Sequence, residues 1–328
     1  MTQTAPAPNI IREAVTLACR APSLHNSQPW RWVADGAALH LFADTTRLML
    51  ATDSTGREIT LSCGAVLDHL RVAMAAAGWD TAVERFPDRH DPDHLAVIGF
   101  TPMPMVTDAH RQCADAILAR RTDRLPFDAP PDWADLQSAL RSAIIGHQVM
   151  FDVVLDDARP QLAEASRLTE TLRHHDPTYQ SELRWWTSPF GIDQGVPQSA
   201  LVSASEAARV DVSRAFPPAG RGDRRPEVGV DQSKIVVLSS HHEDQRLEVL
   251  RCGEALSTVL LEATIAGMAT CTLTHLIEVA PSRDIIRKLI GQAGLPQVLI
   301  RIGIAPATGP RPPATPRRPV TDFLEIRS

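Results

Sequence analysis

The chain has 328 residues, of which 44 % are hydrophobic and 22 % charged, and a formal net charge of −6. This is the profile of an ordinary globular protein of about two domain-sized units, and it excludes a disordered chain, a fibrous repeat and a small disulfide scaffold. The acidic balance leaves no basic footprint for nucleic acid.

In chain order, residues 10–20 carry apolar groups at helical spacing and predict a first helix. It leads into Ala21-Pro-Ser-Leu-His-Asn-Ser-Gln-Pro-Trp30, a proline-bracketed turn whose Ser, Asn and Gln groups suit the polar edge of a planar heterocycle. A helix cap followed by a turn into a strand at 31–33 explains the same residues without a ligand. A second helix is predicted over 57–78 and a strand over 94–100, short and rich in Val, Ile and Leu. Residues 117–127 then set Arg120, Arg121, Thr122 and Arg124 within five positions. Guanidinium groups hold phosphate in pairs and a hydroxyl adds a neutral donor, although a solvated basic turn would read the same way.

Strands are predicted at 148–155, 234–239 and 297–304, and a helix at 246–267. Between them, residues 174–230 break the alternation, with Trp185-Trp186, several Gly and Pro, and a polar run from Pro217 to Pro226. Such a long excursion from a compact domain is either a surface loop or a lid. A second Arg pair, Arg317 and Arg318, lies close to the C-terminus and would close on the same phosphate as the first cluster. There is no G-x-G-x-x-G after a strand, no G-x-x-x-x-G-K-[ST] and no G-x-S-x-G, which argues against dinucleotide-fold, P-loop and serine-hydrolase sites.

Targeting and redox signals are plain. There is no run of about 18 apolar residues, so no membrane span is expected. Residues 1–9 lack the basic start and apolar core of a signal peptide. Cys19, Cys63, Cys113, Cys252 and Cys271 are odd in number and widely spread, which reads as reduced thiols in a cytoplasmic protein. His174-His175 and His241-His242 lack the i, i+4 spacing of a helical metal pair, so no metal is expected.

An internal repeat organises the chain. Arg57-to-Gly78 and Arg246-to-Gly267 match at seven positions at a constant offset of 189, including Cys63/Cys252, Gly64/Gly253 and Ala77-Gly78/Ala266-Gly267. Both copies have helical periodicity, both end in the Gly that favours a helix C-terminus, and each is followed by a β-type run. A Gly inside a helix costs about 1 kcal/mol against Ala, so the paired Cys-Gly steps predict close approach of another backbone. The reading is of two α+β halves fused in one chain, with the Cys-Gly helices at a pseudo-twofold axis. The first half is 1–108 and the second 109–328, which contains the 174–230 insertion.

Together these motifs resemble the nitroreductase superfamily of FMN proteins. Ala21–Trp30 looks like its A-P-S-x-x-N-x-Q-P-W signature, and Arg120 to Arg124 its R-R-S/T-x-R element. The D-x-x-G-R step at 53–57, the Cys-Gly helix, "PQVLIRIG" and the late "RRPVTDF" are similar to the Acg-type branch, a single-chain duplicated version of the dimeric fold. The resemblance implies one FMN at the interface of the halves. Arg120, Arg121, Thr122 and Arg124 would hold its phosphate and ribityl chain, and Arg317 and Arg318 would close over them. Thr272, Leu273, Thr274 and His275 would lie beside the isoalloxazine, and Pro22, Ser23, Leu24 and Asn26 would reach across from the first half. A second site would need an Arg cluster ahead of the first-half helix and a P-S-x-x-N near 144–150. Neither is present, so one FMN per chain is expected. Such a chain completes its site as a monomer and leaves homodimerisation open.

In an active member, NAD(P)H gives hydride to flavin N5, and a nitroaromatic or quinone then takes it; the flavin, with no catalytic side chain, carries the chemistry. Donors near the N1 edge, such as Arg120 or Arg124, would stabilise the reduced ring. His25 and His275 would either supply protons or be structural. Trp185 and Trp186 would act as a lid over the ring. If the lid occludes the flavin, the alternative is an FMN storage or sequestration protein with little turnover. A third reading is an α+β binding protein with no flavin.

Overall fold

The computed structural model describes residues 5–36, 38–188, 193–218, 222–242, 245–306 and 313–327; the start of the expected leaderless N-terminus and parts of the 174–230 insertion lie outside the described residues. The elements run α1 (Pro8–Ala18), β1 (Trp30–Ala34), β2 (Leu39–Ala43), α2 (Arg57–Ala76), β3 (Trp79–Arg85), β4 (His94–Pro102), α3 (Asp108–Ala119), α4 (Trp133–Ala143) and β5 (Met150–Val154). They continue with α5 (Arg159–His174), α6 (Pro177–Trp186), α7 (Ala204–Ala208), β6 (Lys234–Ser240), α8 (Arg246–Ile265), β7 (Ala269–Leu273), α9 (Ala280–Leu289), β8 (Leu295–Gly303) and β9 (Leu324–Ile326).

The fold is mixed α+β, with two sheets. One has the order β3-β4-β2-β1-β9 and the other β5-β6-β8-β7. Pairing is antiparallel except at β9, which lies parallel to β1 and so returns the C-terminus to the sheet that the N-terminus began. The predicted strands fall on β1, β4, β5, β6 and β8. β3 was missed because its residues alternate between half-buried and exposed and carry Asp, Glu and Arg. β8 is buried at every position, including the polar Gln297 and Arg301.

α2 and α8 run through the middle, each against one sheet. α1 buries Ile11, Ala14, Val15 and Ala18 on one stripe. α2 instead is buried on nearly all sides. Its length and apolar composition would let it cross a membrane, yet 78 % of the relevant window is inside the protein, which makes it a core helix. Leu67, Leu70, Leu250 and Val259 are fully buried around the crossing, and each such side chain contributes about 2 kcal/mol.

At the crossing the helices meet backbone to backbone. A Cβ on Gly64 would lie 2.0 Å from Leu250 O, and one on Gly253 2.1 Å from Leu61 O. Polar groups join the helices beside it. Ser257 Oγ donates to Asp68 Oδ2 at 2.6 Å and pairs with His69 Nδ1 at 2.7 Å.

Candidate functional site: a cavity between the two sheets' helices

A cavity of about 610 Å³ opens beside the N-terminal end of α2. Its walls include the 22–25 turn, the N-terminal half of α2, Thr122 and Arg124, one side of α5, the end of β7 with the segment after it, and the insertion from Val202 to Pro218. A smaller pocket of about 60 Å³ adjoins it, sharing Pro22, Ser23, Thr122 and Arg124.

The 22–28 turn is held in an uncommon backbone shape. His25, Asn26 and Gln28 all have positive φ, at 47°, 58° and 51°. For residues with a side chain this costs on the order of 1 kcal/mol each, so the surroundings must enforce it. Ser23 Oγ accepts from Gln28 N at 3.0 Å, and Leu24 N donates to Ser62 Oγ of α2 at 3.3 Å. Asn26 Nδ2 donates to Gly195 O and Pro316 O, both at 3.1 Å, and Gln28 Nε2 to Asp193 O at 2.9 Å. The turn therefore ties α2, the insertion and the C-terminal segment together.

The small pocket is cationic. Arg20, Arg120, Arg121 and Arg317 line it. Arg120 Nη2 and Arg317 Nη2 converge on Arg20 O, at 3.1 and 2.8 Å. Burial, with Arg20 nearby, pushes Arg120 down to about 10. Burial, with Arg120 and Arg20 nearby, pushes Arg317 down to about 9. Arg120 Nε and Nη1 are buried without a hydrogen-bond partner among the described residues. Buried guanidinium donors left unpaired are costly, and a phosphate group supplies acceptors of matching charge.

The large cavity is more apolar and carries isolated polar atoms. His275 Nε2 pairs with Ser166 Oγ at 3.0 Å, and Ser166 Oγ donates to Ser213 O. The imidazole therefore donates through Nε2, and its buried Nδ1 is an acceptor without a partner among the described residues. Thr272 Oγ1 and His25 Nε2 are likewise buried and unpartnered. Burial, with Arg214 and Arg124 nearby, holds His25 well below the usual imidazole range; burial and Arg214 do the same to His275. Both rings stay neutral and act as hydrogen-bonding groups without charge. A planar heterocycle with N–H and C=O edges and a phosphate-bearing tail fits the pair of cavities.

The structure brings Pro22, Ser23, Leu24, Thr122, Arg124, Thr272, Leu273, Thr274 and His275 to the large cavity. Asn26, Arg120, Arg121 and Arg317 lie at the small pocket, which Pro22, Ser23, Thr122 and Arg124 also line. Arg318 is not with them. Its backbone N–H and Nη1 go to Gln28, and Nη2 goes to Asp322 O at 3.2 Å. In a non-helical segment neighbouring side chains diverge, so only Arg317 turns inward.

The tryptophans also differ from expectation. On α6 the buried residues are Tyr179 and Leu183, one turn apart, which leaves Trp185 on the opposite side and 70 % exposed. Trp186 is half-buried beneath Arg47, 5.9 Å from its ring centroid. Neither lines the cavity. The aromatic side chain that does is Phe216, set edge-on to His25 at 5.7 Å and under Arg124 at 4.9 Å.

Three charged residues at or just behind the wall, Arg214, Glu278 and Glu58, were not singled out from the sequence. Arg214 is ion-paired to Glu278 and donates to Tyr179 Oη at 2.7 Å and Thr274 Oγ1 at 3.3 Å. Burial alone would lower Arg214, but Glu278 beside it raises it. The third, Glu58, follows Arg57 in the predicted helix; a carboxylate in so apolar a segment was the available clue.

A cavity joined to a cationic pocket offers donors suited to a planar, phosphate-bearing group, and comparison with known proteins identifies the lineage. The chain belongs to the Acg-type branch of the nitroreductase family. It is 55 % identical over its full length, and 99 % of the relative's, to the Mycobacterium tuberculosis protein named "Putative NAD(P)H nitroreductase acg". A second protein of that organism, named "Putative NAD(P)H nitroreductase Rv3131", is 37 % identical over 96 % of this chain and 91 % of its own. No protein-family model matches the chain. Among solved structures, the FMN- and NADPH-dependent nitroreductase NfnB of sphigopyxis sp. strain HMH aligns at a TM-score of 0.43 and 15 % identity, over 66 % of this chain and 99 % of its own.

Proposed function

We propose that the chain binds one FMN across the two cavities and acts as an NAD(P)H-dependent flavoprotein reductase of nitroaromatics or quinones in the cytoplasm. The observation that carries this is the pair of buried Arg120 donors, unpartnered among the described residues, at the end of a ring-sized cavity whose wall residues His275, Thr272 and His25 also carry buried unpartnered polar atoms. Arg120, Arg317, Arg121 and Arg20 would hold the phosphate. Thr122 and Arg124 would follow the chain between the pockets. Thr272–His275 and Pro22–His25 would flank the ring. The flavin, when bound, supplies reversible two-electron hydride chemistry. The protein's part is to neutralise the phosphate, orient the ring and keep water from it. Arg124, half-buried at the cavity wall, would favour added negative charge on the reduced ring.

One site per chain follows from the asymmetry of the repeat. Ser62, which receives Leu24 N, has Arg251 as its counterpart, and Arg251 donates to Gln148 Oε1 at 2.6 Å. That arrangement supports a division into a 1–108 half and a 109–328 half with a single functional interface, complete within a monomer. The names of the relatives support the nitroreductase reading and the NAD(P)H donor.

A second reading has a specific observation in its favour. The strap Arg214–Phe216, part of the 174–230 insertion, lines the cavity and is fixed by the buried Arg214–Glu278 pair. A strap that stays shut would make the protein an FMN store with little turnover. An anaerobic visible spectrum before and after excess NADPH or NADH separates the cases. Bleaching within seconds supports the reductase. A flavin that bleaches only with dithionite supports storage, and a chain that neither carries nor takes up flavin contradicts both.

A further inference from the structure

Glu58 stands in the first turn of α2, lines the large cavity and is 2 % exposed. Its Oε1 is paired with Arg57 Nη2, and its Oε2 accepts no hydrogen bond among the described residues. The charged groups around it are otherwise committed. Arg57 Nη1 donates to Gln297 O at 2.7 Å and Gln297 Oε1 at 3.2 Å, on β8. Asp53, in the loop before α2, accepts from Ile59 N at 3.0 Å. Glu278, in the segment after β7, is held by Arg214 of the strap. Three carboxyl groups thus share two guanidinium groups in a nearly dry cluster. Burial is the chief reason the Glu58 carboxyl is pushed up to about 7; Arg57 opposes it, Glu278 and Asp53 reinforce it, and Arg214 opposes it.

We propose that Glu58 is the proton store of the cavity: it takes one proton from solvent when the bound flavin is reduced and releases it when the acceptor is reduced. The inference rests on the flavin reading above. Hydride from NAD(P)H brings two electrons and one proton, leaves NAD(P)+, and adds one negative charge to the cavity. An added negative charge raises the pKa of a neighbouring buried carboxyl, so the Glu58 carboxylate gains a solvent proton and becomes a carboxylic acid. A quinone then takes the hydride and the Glu58 proton and leaves as the hydroquinone, which restores the carboxylate. No other oxidant or reductant is needed.

The test is the pH dependence of the flavin midpoint potential in the FMN-loaded full chain and in Glu58→Gln. Below about pH 7 the wild-type carboxyl is already protonated, so one proton accompanies two electrons; above it, two protons do. Glu58→Gln is expected to show one proton throughout. An equal proton count in both proteins overturns the proposal while leaving the flavin reading intact. Should the variant fail to retain FMN, the reduced-minus-oxidised infrared spectrum of the wild type decides. At slightly alkaline pH it is expected to gain a carboxylic acid C=O band, and no gain overturns the proposal. A chain that takes up no FMN overturns both readings.

Discussion

Gly64 of α2 and Gly253 of α8 face each other so closely that a Cβ on either would come within 2.9 Å of the other's Cα. The relationship is reciprocal, as expected of positions that match at the offset of the internal repeat. It also sets the spacing of the helices whose ends frame the cavity.

Gly253→Ala should therefore destabilise the protein by about 3 kcal/mol or more, because the new methyl would meet Leu61 O at 2.1 Å. The gain of about 1 kcal/mol in helix propensity is too small to offset this. Urea unfolding checks it, and an unchanged midpoint would show that the helices can separate without cost.

The glycine contact was legible because two sequence signals agreed: a costly residue inside a helix, and its repetition at the same place in a second helix. The arginine cluster was legible for a similar reason, since Arg120, Arg121, Thr122 and Arg124 are close in the chain. Arg20 and Arg317 complete it from nearly 300 residues apart, and only Arg317 carried a motif. The insertion was legible as an excursion but not in the aromatic residue that lines the cavity. Two adjacent tryptophans drew the prediction, yet helical phase turns Trp185 to solvent and the chain brings Phe216 inward instead. Arg214 and Glu278 meet through the fold alone.

Replacing Arg120 by Met should lower FMN affinity about 10- to 100-fold, the loss expected for charge-assisted hydrogen bonds of about 1.5–3 kcal/mol. The same change should leave the flavin-free chain as stable as before, or more so. Arg120 and Arg317 have folded pKa values of about 10 and about 9, below their ordinary values, so their charged forms oppose folding at neutral pH until an anion joins them. Fluorescence titration with FMN and thermal melts without it give the two numbers. A variant that binds FMN normally contradicts the assignment of this pocket.

Acid sensitivity should be partly traceable to His69. Burial holds its pKa well below the ordinary 6.5, with Arg120 and Arg317 adding to the effect. The unfolded chain then takes up a proton that the folded chain refuses, so this stabilising share is present above about pH 6.5 and is lost as pH falls below it. Between pH 7 and pH 5, wild type should lose up to about 2 kcal/mol more than His69→Gln. Denaturant melts at the two pH values measure the difference, and parallel losses would place the acid response elsewhere.

Access to the cavity should depend on Phe216 and not on Trp185. Phe216→Ala is expected to speed anaerobic bleaching by NADPH at least several-fold, because it removes the aromatic wall beside His25 and under Arg124. Trp185→Ala, at a position 70 % exposed, should leave the rate unchanged. Stopped-flow absorbance compares them; the opposite ranking would restore the tryptophan as the gate.

The most direct test of the account is the flavin-to-protein ratio of the chain saturated with FMN, measured by absorbance after the cofactor is released. One FMN per chain, falling toward zero in the doubly substituted Arg120→Met, Arg317→Met protein, is the predicted result. A ratio of two, or binding that survives loss of both arginines, would contradict the single interface site.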